Sequence, residues 1–236
     1  SAHIHLQEIR EEVTAVRNDE GLTPIQYCSK KGLFDNSTVA AHCVWVDAED
    51  TRILSEKSVG VAHNPISNMI LASGICPVPE LRNMGINVGI GIDGAGSNDS
   101  QDMLQSIKIT PLLQRVNKMQ ATALSSHDAL HMATIEGAKV LGVEKYLGSL
   151  EVGKRADFVI LDGDSPVLAN IHDPFQAVVY CAGKTEVKEV WVDGENIFKD
   201  GKVTNVSTYE VVKHSKSQAV KLVEAAGLSN LSTLKN

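Results

Sequence analysis

No apolar run in this chain approaches the roughly 20 residues that a membrane-spanning helix needs, and the N-terminus has neither the cationic nor the apolar region of a secretory signal. A soluble protein is expected. None of the four cysteines, Cys28, Cys43, Cys76 and Cys181, forms a CxxC pair, and Cys43 and Cys76 sit in apolar runs where a free thiol behaves as a small hydrophobe. That pattern predicts a reduced, cytoplasmic protein. The 22 basic residues form no block, and a net charge of −7 gives no electrostatic reason for nucleic acid or an anionic membrane as partner. A small neutral or cationic substrate suits this surface better. There is no internal repeat and no low-complexity tract. With 236 residues and a hydrophobic fraction of 43%, the chain can bury a sizeable core in one or two domains.

The most informative stretch is Val88-Gly-Ile-Gly-Ile-Asp93-Gly-Ala-Gly-Ser97. Apolar residues at 86, 88, 90 and 92, diluted by glycines and followed at once by Asp93, predict a buried strand that ends by presenting a carboxylate. Two earlier segments share this grammar, Ala2-His3-Ile4-His5-Leu6-Gln7-Glu8 and Val39-Ala40-Ala41-His42-Cys43-Val44-Trp45. A lone Asp after a strand is usually a turn or cap, and a lone His is usually structural. The set His5, Glu8, His42 and Asp93, all at expected strand ends, instead points to chemistry, because imidazole and carboxylate together suit a zinc-type ion. His63 also ends an expected strand, but Asn64-Pro65 after it gives it a structural task in orienting the loop. His127, His131, His172 and His214 lie outside the pattern and read as surface or core histidines.

Residues 1–7 read as a strand, 7–18 as a polar helix, and 23–31 as a second helix opened by Thr23-Pro24. Strands follow at 38–46, 58–63 and up to Asp93, separated by short helices at 48–56 and 78–83. This is β/α alternation with four parallel strands. Residues 100–118 predict an amphipathic helix interrupted near Pro111, and 125–141 a single further helix. From Gly148 the pattern changes to short strands at 156–161, 177–182 and 187–192, with hairpin turns at Asp193-Gly194 and Asp200-Gly201. A helix at 209–226 ends at Gly227.

The chain resembles the amidohydrolase superfamily, in the branch of methylthioadenosine/S-adenosylhomocysteine deaminases and chlorohydrolases. The resemblance rests on His3-Ile-His5-Leu-Gln-Glu8, Ala41-His42-Cys43-Val44-Trp45-Val46-Asp47, Val61-Ala-His63-Asn64-Pro65-Ile-Ser67-Asn68, Leu71-Ala-Ser73-Gly74, Gly91-Ile-Asp93-Gly94-Ala-Gly-Ser97-Asn98 and Gly148-Ser-Leu-Glu-Val-Gly153-Lys154-Arg-Ala156-Asp157, in that order along the chain. It implies that His5 and Asp93 are metal ligands, Glu8 a proton shuttle, Asp93 also a base, and His42 a hydrogen-bond donor to the attacking oxygen. Glu8, His42 and Ser97 would face the substrate. The implied cofactor is a divalent metal, zinc first, with iron, manganese or nickel as alternatives, which makes water nucleophilic at neutral pH. The implied reaction replaces an amino group on an adenosine-type purine by oxygen.

The superfamily also carries an H-x-H pair on its first barrel strand. His3-Ile-His5 does not fill that role, since Gln7-Glu8 follows as on the fifth strand, and a full barrel takes about 250 residues. The fold expected is therefore α/β: strands five to eight of a TIM-type hydrolase barrel over 1–147, part of a small β-sandwich over 148–206, and a final helix and tail over 207–236. Two protein ligands rarely hold a catalytic zinc, so weak or absent metal and no catalysis are expected of this chain alone. Its unpaired strand edges predict association with an N-terminal half or with another copy. Other readings are a triazine chlorohydrolase, a guanine or cytosine deaminase, or a non-catalytic remnant serving as an assembly module.

Overall fold

In the computed structural model, which describes residues 1–228, four parallel strands stand side by side in chain order: β1 (Ala2–Leu6), β2 (Thr38–His42), β3 (Gly60–His63) and β4 (Val88–Ile90). The register sets Leu6 beside His42, and His63 beside Ile90, so the C-terminal strand ends open on one side of the sheet. Ala40, Val61 and Val88 are fully buried, as parallel strands covered by helices require.

The helices between the strands begin at legible signals. Helix α1 spans Arg10–Glu20 and α2 spans Pro24–Lys30, the latter opened by a Thr23/Gln26 capping box with Pro24 at its first position. Helix α3 (Ala48–Glu56) has the same device in Asp47 and Asp50, and its bounds, like those of α5 (Val78–Asn83), are those expected from sequence. Helix α4 (Pro65–Ile70) was not foreseen, because Asn64-Pro65 reads as a turn, yet Pro65 serves as the first residue of a helix. Helix α1 starts three residues later than expected: Gln7 takes a left-handed φ of 52° and turns the chain before a helix can form.

Three further expectations are corrected. Strand β4 stops at Ile90 rather than running to Asp93, which itself sits at φ 58°. Helix α6 (Met103–Lys118) passes through Pro111 unbroken. Pro111 is buried there, and packing against α4 and α7 (Ser126–Met132) offsets the lost backbone hydrogen bond. The helix expected over 125–141 is two, α7 and α8 (Ile135–Val140), broken at Thr134 so that α8 can lie across β3 and β4. That approach is close: a Cβ on Gly89 would come within 3.0 Å of Gly137 Cα.

The second sheet is antiparallel, in the order β5 (Phe158–Leu161), β6 (Val187–Val192), β7 (Glu195–Lys199), β8 (Lys202–Val203). Of residues 177–182, expected as a strand, Ala177–Cys181 are helical. Asp173 accepts hydrogen bonds from the Phe175 and Gln176 N–H groups to start α9 (Pro174–Gln176), which runs into a π-helical turn at Ala177–Cys181. Buried Val179 then packs with Ile107 and Ala129 of the first body. A short β-branched run reads alike in strand and buried helix, and the Asp-Pro start was the deciding signal. Helix α10 (Thr208–Ala225) follows from Ser207, whose hydroxyl accepts the Glu210 N–H; residues 229–236 of the expected tail lie outside those described. No helix among the described residues is long and apolar enough to cross a membrane.

Gly148, which opens the motif leading into the second sheet, has a φ of 92° and no room for a side chain. A Cβ there would sit 2.8 Å from Ile135 Cα and 2.8 Å from Ala138 Cβ. Gly148→Ala should cost about 3 kcal/mol, from left-handed strain and a contact against helix backbone. Gly163, whose Cβ would meet nothing within 4 Å, is the control: Gly163→Ala should leave the urea midpoint within error of the parent. Equal midpoints for the two variants would refute the argument.

Candidate functional site

The strand ends carry their functional groups on strained backbone. Gln7, His42, Cys43 and Asp93 all have left-handed φ values, 52°, 75°, 46° and 58°. For non-glycine residues this costs of the order of 1 kcal/mol each, and it is held by a web of hydrogen bonds. The Cys43 N–H donates to Leu6 O, and the Val44 and Trp45 N–H groups both donate to Gln7 O, tying the top of β2 to that of β1. Gln7 is fully buried; its Nε2 donates to Trp45 O at 2.6 Å and to Asp50 Oδ2 at 2.9 Å, while its Oε1 accepts the Ile25 N–H. Glu12 accepts the Gln7 and Glu8 N–H groups, so the turn that aims Glu8 is fixed from both sides.

These constraints bring the expected residues together. Ligating atoms of His5, His42 and Asp93 all lie within 4.8 Å of one another, and the His5 and His42 rings meet edge to face at 4.7 Å between centroids. Glu8 Oε2 stands 3.7 Å from His42 Nε2. Two imidazoles and a carboxylate at this spacing fit a borderline divalent cation, and the buried His42 Nε2 makes no hydrogen bond. His3, on the same strand as His5, has its ring 6.4 Å from that of His5 and is not in the cluster.

Asp93 is surrounded by donors. Its Oδ2 accepts from Ser67 Oγ at 2.6 Å and from Ser97 Oγ at 2.9 Å, and its Oδ1 accepts the Gly94 N–H at 2.8 Å. Burial alone would raise its pKa, but these bonds and nearby His42 hold it below the usual carboxylate value. Ser97, expected beside the substrate, has its hydroxyl turned onto Asp93. His42 is shifted down by burial, against the pull of Glu8 and Asp93.

Sequence reasoning missed a supporting layer drawn from one segment, α4 and the turn after it. Ser67 bonds Asp93, the Asn68 side chain meets His42 Nδ1 at 3.1 Å, and Ser73 Oγ donates to Glu8 Oε1 at 3.0 Å. Trp45 Nε1 donates to Ser73 O and closes the layer over β2. These residues stand in quoted motifs, but only the fold shows what each faces. His63 is fully buried, neither ring nitrogen makes a hydrogen bond, and burial with His42 nearby pushes its pKa down to about 3. Any hold it has on the following loop is therefore by packing, not through a ring hydrogen bond.

The profile described as amidohydrolase family matches residues 1–197. The chain is 44% identical over 222 residues to a 5'-deoxyadenosine deaminase of Methanopyrus kandleri, covering 94% of this chain and 51% of the relative. It is 42% identical over 223 residues to a 5-methylthioadenosine/S-adenosylhomocysteine deaminase of Desulforudis audaxviator, with 94% and 52% covered. Among solved structures, an adenosine deaminase from Xanthomonas campestris with bound zinc superposes with a TM-score of 0.89 at 30% identity, covering 93% of this chain and 50% of that one. The chain thus spans about half the length of the curated relatives it matches.

Proposed function

Since the chain belongs to the amidohydrolase family, we propose that it is part of a metal-dependent hydrolase that deaminates an adenosine-type nucleoside such as methylthioadenosine, S-adenosylhomocysteine or 5'-deoxyadenosine. In this reading β1 to β4 are the fifth to eighth strands of a TIM-type barrel, and β5 to β8 belong to a small β-sandwich beside it. The observation that carries it is the convergence of His5, His42 and Asp93 within 4.8 Å, with Glu8 beside them, at the C-terminal ends of parallel strands. The relatives' names supply the nucleoside.

His5 and Asp93 would hold the ion, zinc by analogy with the solved relative, and the ion when bound would supply a nucleophilic water at neutral pH. Asp93, kept anionic by Ser67, Ser97 and Gly94, would serve as the base that takes a proton from the attacking water. His42 Nε2 donates to the attacking oxygen. Glu8, with Oε1 occupied by Ser73, would use Oε2 to pick up the two water protons in turn, the second by way of Asp93, and pass one to the ring nitrogen and one to the departing amine. Water and the amino-purine become the oxo-purine and ammonia, so the protons balance. Both outer edges of the parallel sheet are unpaired among the described residues. An N-terminal half, or failing that another copy of the chain, would cover them and complete the ligand set, in the reducing cytoplasm that free Cys28, Cys43, Cys76 and Cys181 suit.

The test is metal content by elemental mass spectrometry and ammonia release from methylthioadenosine and 5'-deoxyadenosine. Both are measured for the chain alone and for the chain combined with the N-terminal half of a relative. The expected result is close to one ion per chain and turnover only in the combined sample. Full metal without ammonia from either nucleoside would refute the substrate, and no metal in the combined sample would refute the site.

A further inference from the structure

We infer that Asn68 is a positioning residue that fixes His42 as the tautomer with its proton on Nε2, so that His42 faces the site as a hydrogen-bond donor and not as a third metal ligand. This rests on the reading of His42 as the group that meets the attacking oxygen. The two roles need opposite protonation of the ring: a ligand presents a lone pair at Nε2 and carries its proton on Nδ1, whereas a donor does the reverse. The partner of Nδ1 therefore decides, and that partner is the Asn68 side-chain amide, 3.1 Å away and buried with it.

Two arguments set the amide orientation. On the Nε2 side stands the Glu8 carboxylate, with Oε2 at 3.7 Å. A lone pair at Nε2 would face the lone pairs of that carboxylate, whereas a proton there is attracted to it. On the Nδ1 side, Asn68 Oδ1 has no partner. Turning the amide over would satisfy that oxygen only by orphaning an NH2 group with two donors, a larger loss. Both sides favour Asn68 Nδ2 donating to Nδ1. The Asn68 backbone is held in place, since its N–H donates to Asn64 O and its C=O accepts the Ser73 N–H. The same helix that orders Asp93 through Ser67 thus sets the tautomer of His42 through Asn68.

The experiment is nitrogen-15 NMR of the His42 ring in the metal-free chain, above the pH at which His42 titrates, for the parent and for Asn68→Asp. The parent should show the proton on Nε2. Asn68→Asp keeps the shape but offers only acceptors, so it should move the proton to Nδ1 and shift the tautomer ratio by at least about tenfold, the worth of one strong hydrogen bond. With the Nε2 lone pair then presented to the site, zinc affinity of the chain should rise, while turnover in the combined enzyme falls with KM little changed. A parent proton on Nδ1 would overturn the inference outright, even if the variant fails to fold, as would a folded Asn68→Asp with an unchanged tautomer. A parent proton on Nε2 with no deaminase activity would spare the role of Asn68 and sink the functional reading instead.

Discussion

Asp93→Ala in the combined, metal-loaded enzyme should reduce bound metal to background and lower kcat/KM by at least about 10^4-fold, because one side chain is asked both to hold the ion and to take a proton. The structure makes the variant a clean test. Asp93 lies beyond the last hydrogen-bonded residue of β4, at φ 58°, with its side chain only partly buried, so its removal leaves no cavity in the core. Ser67→Ala and Ser97→Ala should act more weakly and in one direction. Each removes a bond that holds the Asp93 carboxyl below its usual pKa, so the acid limb of the activity profile should move to higher pH. Glu8→Gln separates the roles. Glu8 is outside the ligand cluster, so metal should stay while kcat falls by about 10^2 to 10^4-fold, the usual worth of a positioned proton donor. Metal retained in Asp93→Ala, or lost in Glu8→Gln, would contradict the assignment of ligand and shuttle.

The grouping of His5, Glu8, His42 and Asp93 was legible because its grammar is local: an apolar strand, then a chemically capable residue, repeated at Glu8, His42 and Asp93. Helices α3 and α5 were legible for a similar reason, each opening at a signal within four residues of its start. What sequence could not supply is whatever depends on the residue opposite. Ser67, Asn68 and Ser73 are ordinary polar residues until β3 and β4 carry α4 across the strand ends. Pro111 was expected to interrupt α6, and residues 177–182 to form a strand. In both cases contacts with distant helices outweighed local preference. Cys181 is exposed at the end of that π-helical turn.

His63 gives the largest stability effect expected of the isolated chain. Its pKa falls from 6.5 to about 3 in the folded state, through burial first and His42 second. The sign follows from proton counting. Between these values the unfolded chain binds a proton at His63 and the folded chain does not, so stability is full above about pH 6.5 and is lost as the pH falls towards 3. The gap is equivalent to about 5 kcal/mol at full extent, and roughly 3 kcal/mol of it should be gone by pH 4. His42, shifted down as well, adds a smaller loss of the same sign. Because neither nitrogen of His63 has a partner, its polarity is a cost to the folded state rather than a support. His63→Leu, of similar volume, should therefore leave stability at pH 7 unchanged or higher and remove most of the slope between pH 6.5 and 4. Urea midpoints of parent and variant across that range decide it. An unchanged slope in the variant would mean that other groups carry the acid sensitivity, and a variant several kcal/mol weaker at pH 7 would mean that the imidazole has a partner after all.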